Sequence, residues 1–196
     1  MRHTLRHFKA LSFAATLVVS AALAATAASV ATASACPPPP ASVHPFTPWG
    51  DSNDYVPTTG GSFESGQPTW SLSGGASVVN DNAPNSLDPK SDGHALHLSA
   101  GGSVTSACVT APGILGIVRF FVKGNGGQLK IEVLVKGGVY DAGTITAGPN
   151  WGVSPILASN APAYKGAVTY QIRLTAIGPN ADFTVDDVYF DPWRSS

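Results

Sequence analysis

Between residues 129 and 136, Leu129, Ile131, Val133 and Val135 alternate with Lys130, Glu132, Leu134 and Lys136. A period of two sends the sets to opposite faces, so this segment predicts a strand with one buried and one mainly polar face. Residues 168–176 repeat the pattern, with Val168, Tyr170, Ile172 and Leu174 set against Thr169, Gln171, Arg173 and Thr175, and residues 118–122 form a third apolar run. Weaker strands are expected at 69–72, 76–80, 95–99, 103–109, 139–146, 154–158 and 182–190. Gly, Pro, Asn and Asp punctuate them, and no segment has the spacing and caps of a long amphipathic helix. The pattern predicts an all-β chain folded as an antiparallel two-sheet β-sandwich of jelly-roll type.

The last run does not hold one phase. In Phe183-Thr184-Val185-Asp186-Asp187-Val188-Tyr189-Phe190, Phe183 and Val185 share a face that Val188 and Phe190 would not. A β-bulge near Asp186 and Asp187 would return both apolar pairs to the core and hold two carboxylates side by side.

The two ends of the chain read differently from its middle. Residues 1–35 have a basic start (Arg2, Arg6, Lys9), an apolar stretch and a small-residue close, Ala33-Ser34-Ala35, the make-up of a secretory signal peptide. Uncleaved, the same run is long enough to span a bilayer. A third reading makes Cys36 a lipid-bearing first residue at the outer face of the membrane, although Ala33 stands where a branched apolar residue is usual. No later segment approaches spanning length, so secretion is the expectation. Residues 36–59 are Pro-rich and aperiodic and predict an extended arm anchored by Phe46, Trp49 and Tyr55; residues 60–196 form the β-sandwich domain.

The chain has 196 residues, 43% hydrophobic and 12% charged, which suits one domain with a substantial core. Removing residues 1–35 leaves eight Lys and Arg against twelve Asp and Glu, a formal charge of −4, so nucleic acid is not an expected partner. Cys36 and Cys108 are the only cysteines, and export favours a disulfide between them. Closing that loop would stabilise the fold by roughly 4 kcal/mol.

Three motifs carry a resemblance. Ser62-Phe63-Glu64-Ser65-Gly66, then Trp70-Ser71-Leu72-Ser73-Gly74-Gly75-Ala76, and the closing Val185-Asp186-Asp187-Val188-Tyr189-Phe190 resemble the first and last strands of galactose-binding-like jelly rolls, as in the carbohydrate-binding modules of secreted glycoside hydrolases. Pro45-Phe46, Pro48-Trp49, Arg119-Phe120-Phe121 and Asp191-Pro192-Trp193-Arg194 are similar to small secreted actinobacterial proteins of unassigned function. The resemblance implies a structural Ca²⁺ held by Glu64 and Asp186, with Asp187 as the alternative and Asp92 as a further oxygen source. Ca²⁺ wants six to eight hard oxygen ligands, and the opposing reading is a solvated Glu64 and a turn-capping Asp.

Catalysis finds no constellation in the sequence. Glu64 and Glu132 are the only glutamates, with nothing to bring them together across a glycosidic bond. His44, His94 and His97 accompany no G-x-S-x-G elbow, and His94 and His97, three apart on a strand, point to opposite faces. A binding role would draw on Trp151, in the turn Pro149-Asn150-Trp151-Gly152, and on Arg119, Glu132, Gln171 and Arg173 from the polar faces of the long strands. An ordinary solvated face explains those same polar residues. The expectation is a monomeric, non-catalytic secreted module engaging extracellular or cell-wall polysaccharide. The alternative is a structural or protein-interaction protein of the cell surface or spore coat, with a lipid anchor at Cys36 as one form of it.

Overall fold

A computed structural model describes residues 36–64, 69–84, 92–112 and 116–193. The signal-peptide reading, and part of the Ser62 to Gly66 motif, fall outside them. The strands in chain order are β1 (Val56–Pro57), β2 (Ser71–Ser73), β3 (Ala76–Asn80), β4 (His94–Ser99), β5 (Ser103–Thr105), β6 (Val109–Pro112), β7 (Ile117–Gly124), β8 (Gln128–Val135), β9 (Gly138–Ile145), β10 (Gly152–Val153), β11 (Leu157–Ala158), β12 (Ala167–Ile177) and β13 (Asp182–Asp191). The only helical turn among the described residues is a 3-10 turn, Thr47–Trp49.

All pairings are antiparallel. Sheet 1 runs β10-β7-β13-β4-β3, with β1 on β13 and β11 on β7; sheet 2 runs β2-β5-β12-β8-β9, with β6 on β12. Their facing sides form one core, and the alternating residues read from sequence fill it: Leu129, Ile131, Val133 and Val135 from β8, and Val168, Tyr170, Ile172 and Leu174 from β12. Opposite them stand Val118, Phe120 and Val122 from β7, Leu96 and Leu98 from β4, and Trp70 packed on Phe63 at 5.4 Å. The chain is a two-sheet β-sandwich of jelly-roll type.

The expected bulge is present. Asp186 pairs with Phe121 and Tyr189 with Arg119, so three steps along β13 match two along β7. Asp187 absorbs the extra residue at φ 47°, a left-handed conformation that Asp tolerates better than most residues. Phe183, Val185, Val188 and Phe190 all reach the same core. A second irregularity, between Ile131 and Glu132 on β8, is matched on β9 by the extra residue Ala142. There Gly143 at φ 128° supplies a backbone shape that a side chain would resist.

The arm is not a simple extended segment. Cys36 is disulfide-bonded to Cys108, and Pro37 and Cys36 accept hydrogen bonds from the Thr110 amide and hydroxyl, at 2.7 and 3.0 Å, on the rim of sheet 2. The lipid alternative needs the same sulfur, and the disulfide occupies it. Val43 and Tyr55 then bridge antiparallel, so the intervening residues fold back as a hairpin-like excursion lying on the outer face of sheet 1. Phe46 and Tyr55 are fully buried there against Phe121, Ile117, Tyr189 and Ala83. Trp49 and Trp193, whose flanking prolines suggest end seals, remain 41% and 39% exposed.

Gly127, in the turn between β7 and β8, sits at φ 68°, and a Cβ there would lie 2.5 Å from Ala181 Cα. Gly127→Ala is expected to lower unfolding free energy by at least about 1 kcal/mol, from the left-handed backbone alone. Chemical denaturation checks this, and an unchanged midpoint would mean that the turn relaxes freely.

Candidate functional site

The outer face of sheet 2 is built by the half of each strand that the core does not take. Register aligns its side chains in rows across the sheet. One row is Thr144, Lys130, Thr175, Ser103 and Ser73; the next is Asp141, Glu132, Arg173, Thr105 and Ser71. A third begins Val139, Leu134, Gln171, and the Gln171 amide nitrogen donates to the Ser106 carbonyl at 2.9 Å. At the centre, Glu132 is only 7% exposed and receives Arg173 Nε on one oxygen and Lys130 Nζ on the other, each at 2.7 Å. Those hydrogen bonds, Arg173's foremost, outweigh burial and hold the Glu132 carboxyl below its ordinary range. The result is a fixed acceptor between two cations, flanked by hydroxyls, with no aromatic side chain in the three rows.

Glu132, Gln171 and Arg173 thus share one face, but the other two expected ligand residues do not join them. Arg119, expected on a solvated strand face, does point outward from β7, but the arm covers it and leaves it 7% exposed. Its Nη1 meets Asp51 Oδ2 at 2.6 Å, Nε and Nη2 donate to the Ser154 carbonyl, and its guanidinium lies 4.4 Å from the Phe46 ring centroid. Tyr55 Oη donates to the same Asp51 oxygen at 2.7 Å. Arg119 therefore fastens the arm. Burial pushes the Asp51 carboxyl up, and the hydrogen bonds from Tyr55, Asn53 and Arg119 together pull it below the usual range. Trp151, just before β10, lies on the sheet 1 side, half-buried against the cluster under the arm, with Lys123 Nζ 5.0 Å from its ring centroid.

The carboxylates nominated for calcium gather at one end of the sandwich. Glu64, Asp92 and Asp187 line a single cavity with Thr58, Gly61 and the Val188 backbone region, while Asp186 is fully buried behind it. Asp186 accepts hydrogen bonds from the Ala83 and Asp187 amides at 3.0 and 2.8 Å. Burial, reinforced by the negative charges of Asp187 and Asp92, nevertheless pushes it up to about 8. Burial and the same three aspartates raise the Tyr189 hydroxyl.

The chemistry of this donor set suits a hard divalent cation, which would offset the clustered negative charge. The geometry is not a coordination shell. Among the described residues no three His, Cys, Asp or Glu side chains stand close enough to hold one ion. Glu64 is turned aside: its Oε1 accepts from the Gly93 and His94 amides at 2.9 and 2.6 Å, and Oε2 lies 3.1 Å from His94 Nδ1. Burial pushes the Glu64 carboxyl up, and these donors more than offset it.

Lys130, Asp141, Thr105 and Ser103 also belong to the polar face of sheet 2. Alternation marked Lys130 as outward, but only the cross-strand register shows that it shares a carboxylate with Arg173.

No family model and no curated protein matches the chain. Among solved structures it is similar to a family 61 carbohydrate-binding module in complex with β-1,4-galactotriose (TM-score 0.44, 17% identity, 68% of this chain and 95% of that one). It is also similar to the CBM22-1 xylan-binding domain of Paenibacillus barcinonensis Xyn10C (0.42, 14%, 69% and 93%) and to the K2 cleaved adhesin domain of Lys-gingipain (0.47, 11%, 66% and 96%).

Asp186 gives a pH prediction of definite sign. Its folded pKa lies above the unfolded value of about 4, so the native state binds the extra proton and stability falls as pH rises from about 4 to about 8. Asp186→Asn removes that titration. Its denaturation midpoint is expected to vary less over the interval than that of the wild type, and an identical pH profile would count against a neutral Asp186.

Proposed function

We propose that the chain is a secreted, non-catalytic binding module whose outer sheet 2 face engages extracellular or cell-wall polysaccharide. The observation that carries this reading is the Lys130, Glu132 and Arg173 ladder set among Ser71, Ser73, Ser103, Thr105 and Thr175. A row crossing five strands at about 4.8 Å each spans about 19 Å, a footprint suited to several units of a polymer. Charge-assisted hydrogen bonds to hydroxyls are the strong neutral-ligand contacts available to such a surface. Arg173 and Lys130 fix the Glu132 carboxylate, so no side-chain rotor has to be ordered when a ligand arrives, which reduces the entropic cost of binding.

Two further observations support a role without catalysis and outside the cytoplasm. Glu132 is held ionised on the outer face of sheet 2, whereas Glu64 is tied to His94 at the start of β4 in sheet 1, so the two glutamates do not flank a common cleft as glycoside hydrolysis requires. The Cys36 to Cys108 disulfide suits an oxidising compartment. No helix among the described residues is long and apolar enough to cross a membrane.

A structural Ca²⁺ belongs to the same reading. Glu64 and Asp186, with Asp187 as the alternative and Asp92 as a further oxygen source, would have to draw closer than they stand to hold it, and it would neutralise charge at the bulge in the middle of β13.

Affinity electrophoresis through a panel of soluble glycans is expected to retard the wild-type chain on at least one. Arg173→Ala should weaken that interaction about tenfold, the loss of one charge-assisted hydrogen bond. No retardation on any glycan would favour a protein-contact role at the cell surface. For the metal, millimolar Ca²⁺ is expected to raise the melting temperature and Asp187→Asn to abolish the rise; an unchanged melting curve after chelation and readdition retires the ion.

A further inference from the structure

The arm covers only part of the outer face of sheet 1. Beyond it, register places Ser77, His97, Thr184 and Lys123 in a row across β3, β4, β13 and β7. Asp182 and Asn125 stand beside that row, with the Asn125 amide donating to the Asp182 carbonyl at 2.8 Å. Lys123, Gly124, Asn125, Pro149, Asp182 and Thr184 line a cavity of about 280 Å³, near the lower end of the range for small-molecule pockets.

Aromatic rings border this strip. Lys123 lies 5.0 Å from the Trp151 ring centroid. Two residues back on the same face of β7, Phe121 contacts Trp49 edge-on at 5.5 Å, and Trp49 is 41% exposed. The rows of sheet 2 have no such rings.

Charge selects the ligand class. Lys123 Nζ pairs with Asp81 at 2.6 Å, and His97 Nε2 lies 2.8 Å from Asp182, so the Lys123 ammonium is already matched by a carboxylate and an anionic ligand finds no excess positive charge. A neutral polyol can donate to carboxylates, accept from an ammonium or amide, and lay its C–H face on an aromatic ring.

We infer that this strip is a second saccharide site, taking a short neutral oligosaccharide that runs from the cavity at Lys123 and Asp182 along β7 toward Trp49, on the sheet opposite the Glu132 ladder. The inference rests on the reading that the chain binds polysaccharide, and it adds that one molecule can bridge two polymer strands.

Titration calorimetry of the folded chain with neutral β-1,4-linked hexasaccharides of glucose, xylose, mannose and galactose tests it. At least one hexasaccharide is expected to bind with two sites per chain. Trp49→Ala and Asp182→Ala should each weaken one site at least tenfold and leave the other intact, and Arg173→Ala should do the reverse. Trp49 lies in a turn with no buried residue and Asp182 is half-exposed, so neither change threatens folding. Wild-type chain should also raise light scattering from a long soluble glycan of the same linkage, and Trp49→Ala should not. One site, lost in Arg173→Ala and unchanged in both sheet 1 variants, overturns this inference and leaves the sheet 2 reading standing. Binding lost only in the sheet 1 variants supports this site and overturns the sheet 2 assignment; no binding to any hexasaccharide overturns it together with the bridging role.

Discussion

Sheet 1 carries apolar side chains on both faces, and much of the molecule follows from the need to cover the second one. Strand β7 is buried along Ile117 to Val122: Val118, Phe120 and Val122 enter the sandwich, while Ile117 and Phe121 turn outward with Tyr189 of β13. Left in water, those outward rings would form the kind of contiguous patch that soluble proteins rarely expose. Residues 43 to 57 cover it with Phe46 and Tyr55, and Arg119 becomes a buried cation that Asp51 must match. Such a pair adds little net stability over an apolar one, but losing either partner strands a charge out of water. The arm is thus held to the domain by packing and kept in register by charge.

Most of the layered fold was legible because its evidence is local. Alternation along β8 and β12 gives strand, face and core residues together, and the phase break in β13 points to a bulge because no regular strand can bury both Phe183 and Phe190. The pairing of Cys36 with Cys108 was legible from their number. The two-residue strands β1 and β10 carry no period and left no signal.

The candidate surface was less legible, because a site depends on which strands lie side by side. The outward direction of Arg119 follows from alternation, but its burial follows from an arm that returns from more than sixty positions upstream. Trp151 and Glu132 both read as polar-face or turn residues, yet Glu132 stands on sheet 2 and Trp151 packs against sheet 1, a separation fixed by strand order alone. The acidic end shows both sides of this. The resemblance points to Glu64, Asp186 and Asp187, and the fold gathers them near one cavity, while the hydrogen bonds that turn Glu64 toward His94 had no trace in the motif.

The pairing of β1 with β13 sets an order of assembly. Thr58 donates from both its amide and its hydroxyl to the Val188 carbonyl, a contact across 130 positions. Chain made or delivered from its N-terminus exposes Phe46 and Tyr55 early, yet their berth on Phe121 and Tyr189 is complete only when the final strand arrives. Contacts of such span form slowly, since a long loop must close before they yield any stabilisation. A bond between Cys36 and Cys108 formed before that moment would shorten the search, holding the arm near the nascent sandwich while it waits for its last strand.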